Sequence, residues 1–271
     1  MPIAEMRVKN FRALADSGIV TLGGVTPIVG RNDAGKSGLL HALKMFFDPP
    51  KKGGLDLSDL HAKNADAIAE IEVAFDPKAL TTQEVQIDAK NKIHLTDDCL
   101  VDSRGLLRLR MSISTKAITA FEILIQDIDD DALFPLALKN QDQLLELLAA
   151  NQLPAVKAGK ETNQEKRASL RRNVQAGGKG LREAWVDAMP VEKKLREVLP
   201  QLIFFADTAN YGIGETSVQN QFKGIVDKAL AAHPNAQQIE DEMRATIQVE
   251  FDKVFDRLKR LTSVVSHKQV D

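Results

Sequence analysis

Gly30-Arg31-Asn32-Asp33-Ala34-Gly35-Lys36-Ser37 decides how this chain is read. The stretch fits G-x-x-x-x-G-K-[ST], the loop that wraps the phosphates of a nucleotide. Gly30 and Gly35 let the backbone turn tightly and aim its N–H groups at anionic oxygens, which a Cβ would obstruct. Lys36 supplies a compact positive charge that reaches the β- and γ-phosphates, and the Ser37 hydroxyl ligates Mg²⁺. The candidate nucleotide-binding positions are Gly30, Asn32, Asp33, Ala34, Gly35, Lys36, Ser37 and Gly38, with Lys36 also a candidate for catalysis. ATP and Mg²⁺ are the expected cofactors.

The flanks argue against a chance glycine loop. Thr26-Pro27-Ile28-Val29 is a short apolar run that reads as a buried strand ending at the loop. After it, Leu39, Leu40, Leu43, Met45, Phe46 and Phe47 recur at helical spacing. Strand, glycine loop and helix thus follow in the order that aims a helix N-terminus at phosphates.

Bulk composition is that of an ordinary water-soluble protein. The chain has 271 residues, 44% hydrophobic and 27% charged, with a formal net charge of −2. That length suffices for one large domain or two small ones. One cysteine, Cys99, rules out an internal disulfide framework and suits a reducing, cytoplasmic setting; it reads as a small buried or half-buried thiol. No apolar run approaches the ~18 residues needed to span a bilayer. Aromatic residues make up 5%, with one Trp and one Tyr, which gives little support to a base-stacking surface for single strands.

Along the chain, Ile3 to Val8 and Ile19 to Leu22 read as strands, and Pro49-Pro50 with Gly53-Gly54 mark a loop after the first helix. Residues 67–75 alternate as a strand. Leu106 to Ser114 is a half-buried strand with Leu107, Leu109, Met111 and Ile113 on one face, and 120–126 is its antiparallel neighbour. Leu144, Leu145, Leu147 and Leu148 predict a short helix. The window from Lys157 to Arg182 then holds eight basic residues against Glu161 and Glu165. Its two readings are a solvated insertion (about 155–183) and a surface for DNA phosphates. Leu199 to Ala206 reads as a buried strand, and the apolar stripe Ile239, Met243, Ile247, Phe251, Val254, Phe255, Leu258 and Leu261 as a long helix. The expected fold is α/β: a P-loop core over residues 1–234 with an antiparallel β layer beside it, then a helical extension over 235–271.

A phosphate-cleaving site also needs a second carboxylate near Mg²⁺. Asp207, closing the apolar run Leu202-Ile203-Phe204-Phe205-Ala206, has that shape, although Thr208 follows where a catalytic Glu is common. The acidic run Asp127, Asp129, Asp130 and Asp131 reads as a solvated turn, with metal binding as the alternative. Asp59 is open between a Mg²⁺-side carboxylate and a cap or turn residue, and His61 beside it reads as a surface histidine.

Glu5-Met6-Arg7-Val8-Lys9-Asn10-Phe11-Arg12, followed by Ile28 to Ser37, resembles the opening of the RecF/SMC/OLD group of ABC-type ATPases, most closely the OLD-type endonucleases. The resemblance is specific over the first 60 residues and weaker from Leu199 to Ser217. It implies that Arg12 contacts the nucleotide and that Asp59 occupies the acidic position after the P-loop helix. It further implies ATP-driven homodimers or larger oligomers, a further partner subunit, and DNA as a target in processing or phage defence. A nucleotide-gated SMC-like scaffold is the non-nuclease alternative. No Leu-Ser-Gly-Gly-Gln signature occurs in the chain. The chain is therefore expected to be the N-terminal part of a larger ATPase. A rival reading takes Ala176-Gly177-Gly178 as the signature and Asp207 as the Walker B carboxylate of a compact, complete enzyme.

Overall fold

Alternating apolar residues in four consecutive long strands give this chain one continuous greasy sheet face. The structure, a computed structural model, describes residues 2–31, 34–50, 53–88, 91–153 and 162–202. In chain order its elements are β1 (Ile3–Phe11), β2 (Leu14–Asp16), β3 (Val20–Thr21), α1 (Lys36–Phe47), β4 (Ala69–Phe75), β5 (Glu84–Asp88), β6 (Asn91–His94), β7 (Leu107–Ile113), β8 (Ile118–Ile128), α2 (Gln141–Ala150), α3 (Asn163–Ala176), β9 (Leu181–Asp187) and α4 (Glu192–Val198). The main sheet runs β2-β1-β4-β7-β8-β9, with β3 also on β1, and every described pairing is antiparallel. β5 and β6 form a separate hairpin.

Register aligns the apolar positions. Val73 faces Met6 and Leu109, Ile71 faces Val8 and Met111, and Phe121 and Ile123 extend the same face on β8. All are buried, each contributing about 1.5–3 kcal/mol of transfer free energy. Helix α1 covers this face: the Phe46 ring lies 6.3 Å from both Phe75 and Phe121. The opposite face carries a cross-strand charge ladder, with Lys9 on Glu70 and Arg110 on Glu122. A smaller cluster of Ile128, Leu133, Leu136, Leu144, Leu148, Leu170 and Val174 joins α2 and α3 to the end of β8.

The antiparallel layer, α1 and α2 lie where the sequence pattern puts them. The run 26–29 does not form a strand: it is irregular, and Val29 is 86% exposed. A strand needs a neighbour to complete its ladder, and no described strand pairs with this segment. The sequence reading missed β2, the β5–β6 hairpin, α3, β9 and α4, with α3 and β9 inside the basic window. Residues 199–202 are irregular. The rest of the expected strand to Ala206, Asp207 and the helical extension over 235–271 lie outside the described residues.

Candidate functional site

Helix α1 begins without a cap. Gly35 stands at its N-cap in the left-handed region (φ 85), no side chain among the described residues caps the end, and the first turn holds no acidic residue. The first intrahelical bond runs from Leu39 N to Gly35 O, so the N–H groups ahead of it point outward from the positive end of the helix dipole. By contrast, α2 and α3 both start with full capping boxes, Asn140 with Gln143 and Thr162 with Glu165.

Steric constraint on the loop falls on Gly35. A Cβ there would stand 2.5 Å from Leu14 Cδ2, because the β1–β2 hairpin packs on the first turn of α1. At Gly30 (φ 159) an added Cβ would make only an ordinary 3.6 Å contact with Ala34, so the close approach that demands glycine is at Gly35. Gly38 lies under the same hairpin, where a Cβ would make ordinary contacts with Leu14 Cδ1 at 3.7 Å and Arg12 Cβ at 3.8 Å. Lys36 folds back over the loop, its Nζ donating to Gly30 O at 2.8 Å and Arg31 O at 2.6 Å. Ala34 closes the turn through its N–H to Arg31 O, and Ser37 is exposed. Asn32 and Asp33 lie outside the described residues.

The hairpin tip presents Arg12 beside this helix start. Asn10 and Arg12 both have positive φ, 55 and 49, a conformation that costs a non-glycine residue about 1–3 kcal/mol. Hydrogen bonds to the segment after α1 offset that strain. Arg12 N donates to Asp59 O at 2.7 Å, His61 Nδ1 meets Arg12 O at 2.9 Å, and Phe11 bridges to Leu60. The Asp59 carboxylate pairs with Arg12 Nε at 2.8 Å. Asp59 and His61, read from sequence as a metal-side or turn carboxylate and a surface histidine, are thus both fastened to Arg12. A groove runs from Arg12 along α1, past His41, Lys44, Met45 and Asp48. Burial, with help from Arg12 and Lys44, pushes the His41 pKa down.

At the far end of α1, Arg196 of α4 donates to Phe46 O at 2.5 Å and stacks on Phe46 and Phe121. A cation there complements the negative end of the helix. The sequence offered no signal for it beyond one basic residue in a polar helix.

The basic window is not a solvated insertion where it is described. Arg167 is fully buried, holding Asp98 through Nε and Nη2, while Arg171 grips Asp127. Lys179 pairs with Asp130, and Arg182 with Asp129 and Asp131. The acidic run divides: Asp127 is buried and paired with Arg171, whereas Asp129 and Asp131 are exposed at the turn that follows β8, as the solvated-turn reading expects. Among the described residues no group of three or more His, Cys, Asp or Glu side chains could hold a metal ion. Gly177 and Gly178 have a local task, ending α3: their N–H groups bond to Asn173 O and Gln175 O, and Gly178 has φ 84. Cys99 is half-buried, and burial pushes its thiol pKa up.

A family model described as an AAA ATPase domain matches residues 1–261. No curated protein matches the chain.

Proposed function

This chain belongs to the AAA ATPase domain family and is an ATPase, and from that premise we propose that residues 30–38 hold ATP·Mg²⁺ at the start of α1. The observation that carries this reading is the uncapped N-terminus of α1, with Gly35 left-handed and the Lys36 ammonium already inside the loop. N–H donors that no described side chain caps, together with a helix dipole, suit a polyphosphate. The donor set also fits the metal: Ser37 offers an exposed hydroxyl as a hard oxygen ligand, and Mg²⁺, when bound, neutralises charge on the phosphates. Lys36 stabilises the charge that develops during phosphoryl transfer, and Asp207 is the candidate second carboxylate.

Within the family we favour an OLD-like role in which the nucleotide state governs assembly of two heads and DNA processing. The exposure of Val29, Arg31 and Ser37 supports a site completed by another surface. DNA contacts would come from outside the described part of the basic window, whose Arg167, Arg171, Lys179 and Arg182 are engaged internally. The decisive experiment is Lys36→Ala assayed with mant-ATP and by ATP turnover. Binding and turnover should both fall to background, and unchanged mant-ATP affinity would dismiss the loop as the nucleotide site.

A further inference from the structure

Arg12 is gripped from one side. Asp59 Oδ1 accepts from its Nε at 2.8 Å, while neither Nη1 nor Nη2 has a hydrogen-bond partner among the described residues. Several other arginines here are closed off, although Arg172 also donates only through Nε. Arg7 is bidentate on Asp16, Arg108 divides its donors among Asp102, Glu72 and Glu5, and Arg167 reaches Asp98, Asn91 and Lys92 O. The Arg12 backbone is fixed too, its N–H on Asp59 O and its carbonyl on His61. Within the pair, the Asp59 side chain is 16% exposed and that of Arg12 37%, so the carboxylate is the inner partner and the guanidinium faces outward. A planar fork binds phosphate through two parallel N–H bonds only when its rotation is set, and a carboxylate on Nε sets it while sparing the Nη edge.

We propose that Asp59 is a positioning residue that orients Arg12 toward the phosphates of the bound nucleotide and is not a ligand of the cation. This rests on the reading that residues 30–38 hold ATP. A carboxylate already bound to a guanidinium brings less free charge to a metal, and its partner's strained backbone (φ 49) is maintained by contacts with the Asp59–His61 segment.

The test measures mant-ATP affinity of the full chain in Mg²⁺ and in EDTA for wild type, Asp59→Ala, Arg12→Ala, their double mutant and Lys36→Ala. Asp59→Ala should weaken binding about tenfold in both buffers, the scale of one charge-assisted hydrogen bond. The double mutant should bind no more weakly than Arg12→Ala, because both changes remove one interaction. A loss confined to the Mg²⁺ buffer, or losses that multiply in the double mutant, would overturn the proposal. Lys36→Ala separates the two levels: if it binds normally, the loop reading itself fails. If it loses binding while Asp59→Ala shows only a Mg²⁺-dependent loss, the loop stands and the positioning role falls. Should Asp59→Ala not fold, Asp59→Asn keeps the volume and an acceptor oxygen. Its melting temperature without nucleotide should match wild type, with a smaller loss that is equal in both buffers, and a Mg²⁺-confined loss again overturns the proposal.

Discussion

Helices α1 and α3 both begin after a loop and both meet basic side chains, yet they use them in opposite ways. At α3 the terminal donors are consumed within the chain: Thr162 Oγ1 accepts from Glu165 N, and Glu165 Oε2 accepts from Thr162 N. At α1 a glycine replaces the capping side chain, and no side chain among the described residues caps the end. The cations divide likewise. Arg167 and Arg171 are occupied by Asp98, Asp127 and backbone carbonyls, whereas Lys36 borrows two loop carbonyls and the Arg12 Nη edge has no partner among the described residues. A count of positive charge along the sequence therefore says little about where an anion binds. What matters is which donors the fold leaves unmatched.

Breaking the α3 side of this contrast should have the largest effect. Arg167→Ala leaves Asp98 buried without its main partner, a change that costs about 3–5 kcal/mol for a buried pair. Chemical denaturation should show that loss, while the folded fraction keeps wild-type mant-ATP affinity. A variant as stable as wild type would mean that these arginines are not structural. Thr162→Ala is the milder form. Loss of the capping box should cost about 1 kcal/mol, read from the same denaturation curves, with nucleotide affinity again unmoved. If Thr162→Ala instead alters nucleotide binding, the two helix ends are coupled and the contrast needs redrawing.

The sequence carried the parts of the fold that depend on local pattern. Alternation in 107–113 and 118–128 and the stripe in 36–47 were readable because each buries its apolar positions against neighbours of the same kind, although β7 also buries Arg108 and Ser112 on its other face. The loop itself was readable because its chemistry sits in eight consecutive residues. What escaped depends on distant partners. Arg167 and Arg171 look like solvated residues until Asp98 and Asp127, far away in the chain, are placed against them. The same holds for Asp59, whose identity as the partner of Arg12 is set by a hairpin 47 residues upstream. Thr26–Val29 errs the other way: apolar composition suggested a strand, but a ladder also needs a neighbour. Polar pairing across long separations has no periodic trace.

The smallest effect belongs to Asp16, on the hairpin that carries Arg12. Hydrogen bonds from Arg7, and then from Gly18 N, hold its carboxyl well below the usual carboxylate range. With a folded pKa below the unfolded value of about 3.9, the unfolded chain takes up protons first. The stabilisation from this pair is therefore complete at neutral pH and declines as pH falls below about 4 toward the folded pKa. Asp16→Asn should be slightly less stable than wild type at pH 7, with the gap shrinking in acid and in high salt, because both side chains are more than a third exposed (35% and 41%). Denaturation midpoints of the two proteins at several pH values measure this, and a gap that widens in acid would contradict the assignment. Nucleotide affinity at pH 7 should not change, since Arg12 is held by Asp59 and His61 rather than by this surface pair. If affinity falls with Asp16→Asn, the open site depends on a second, solvent-facing brace, and the division between closed and available arginines runs through the hairpin itself.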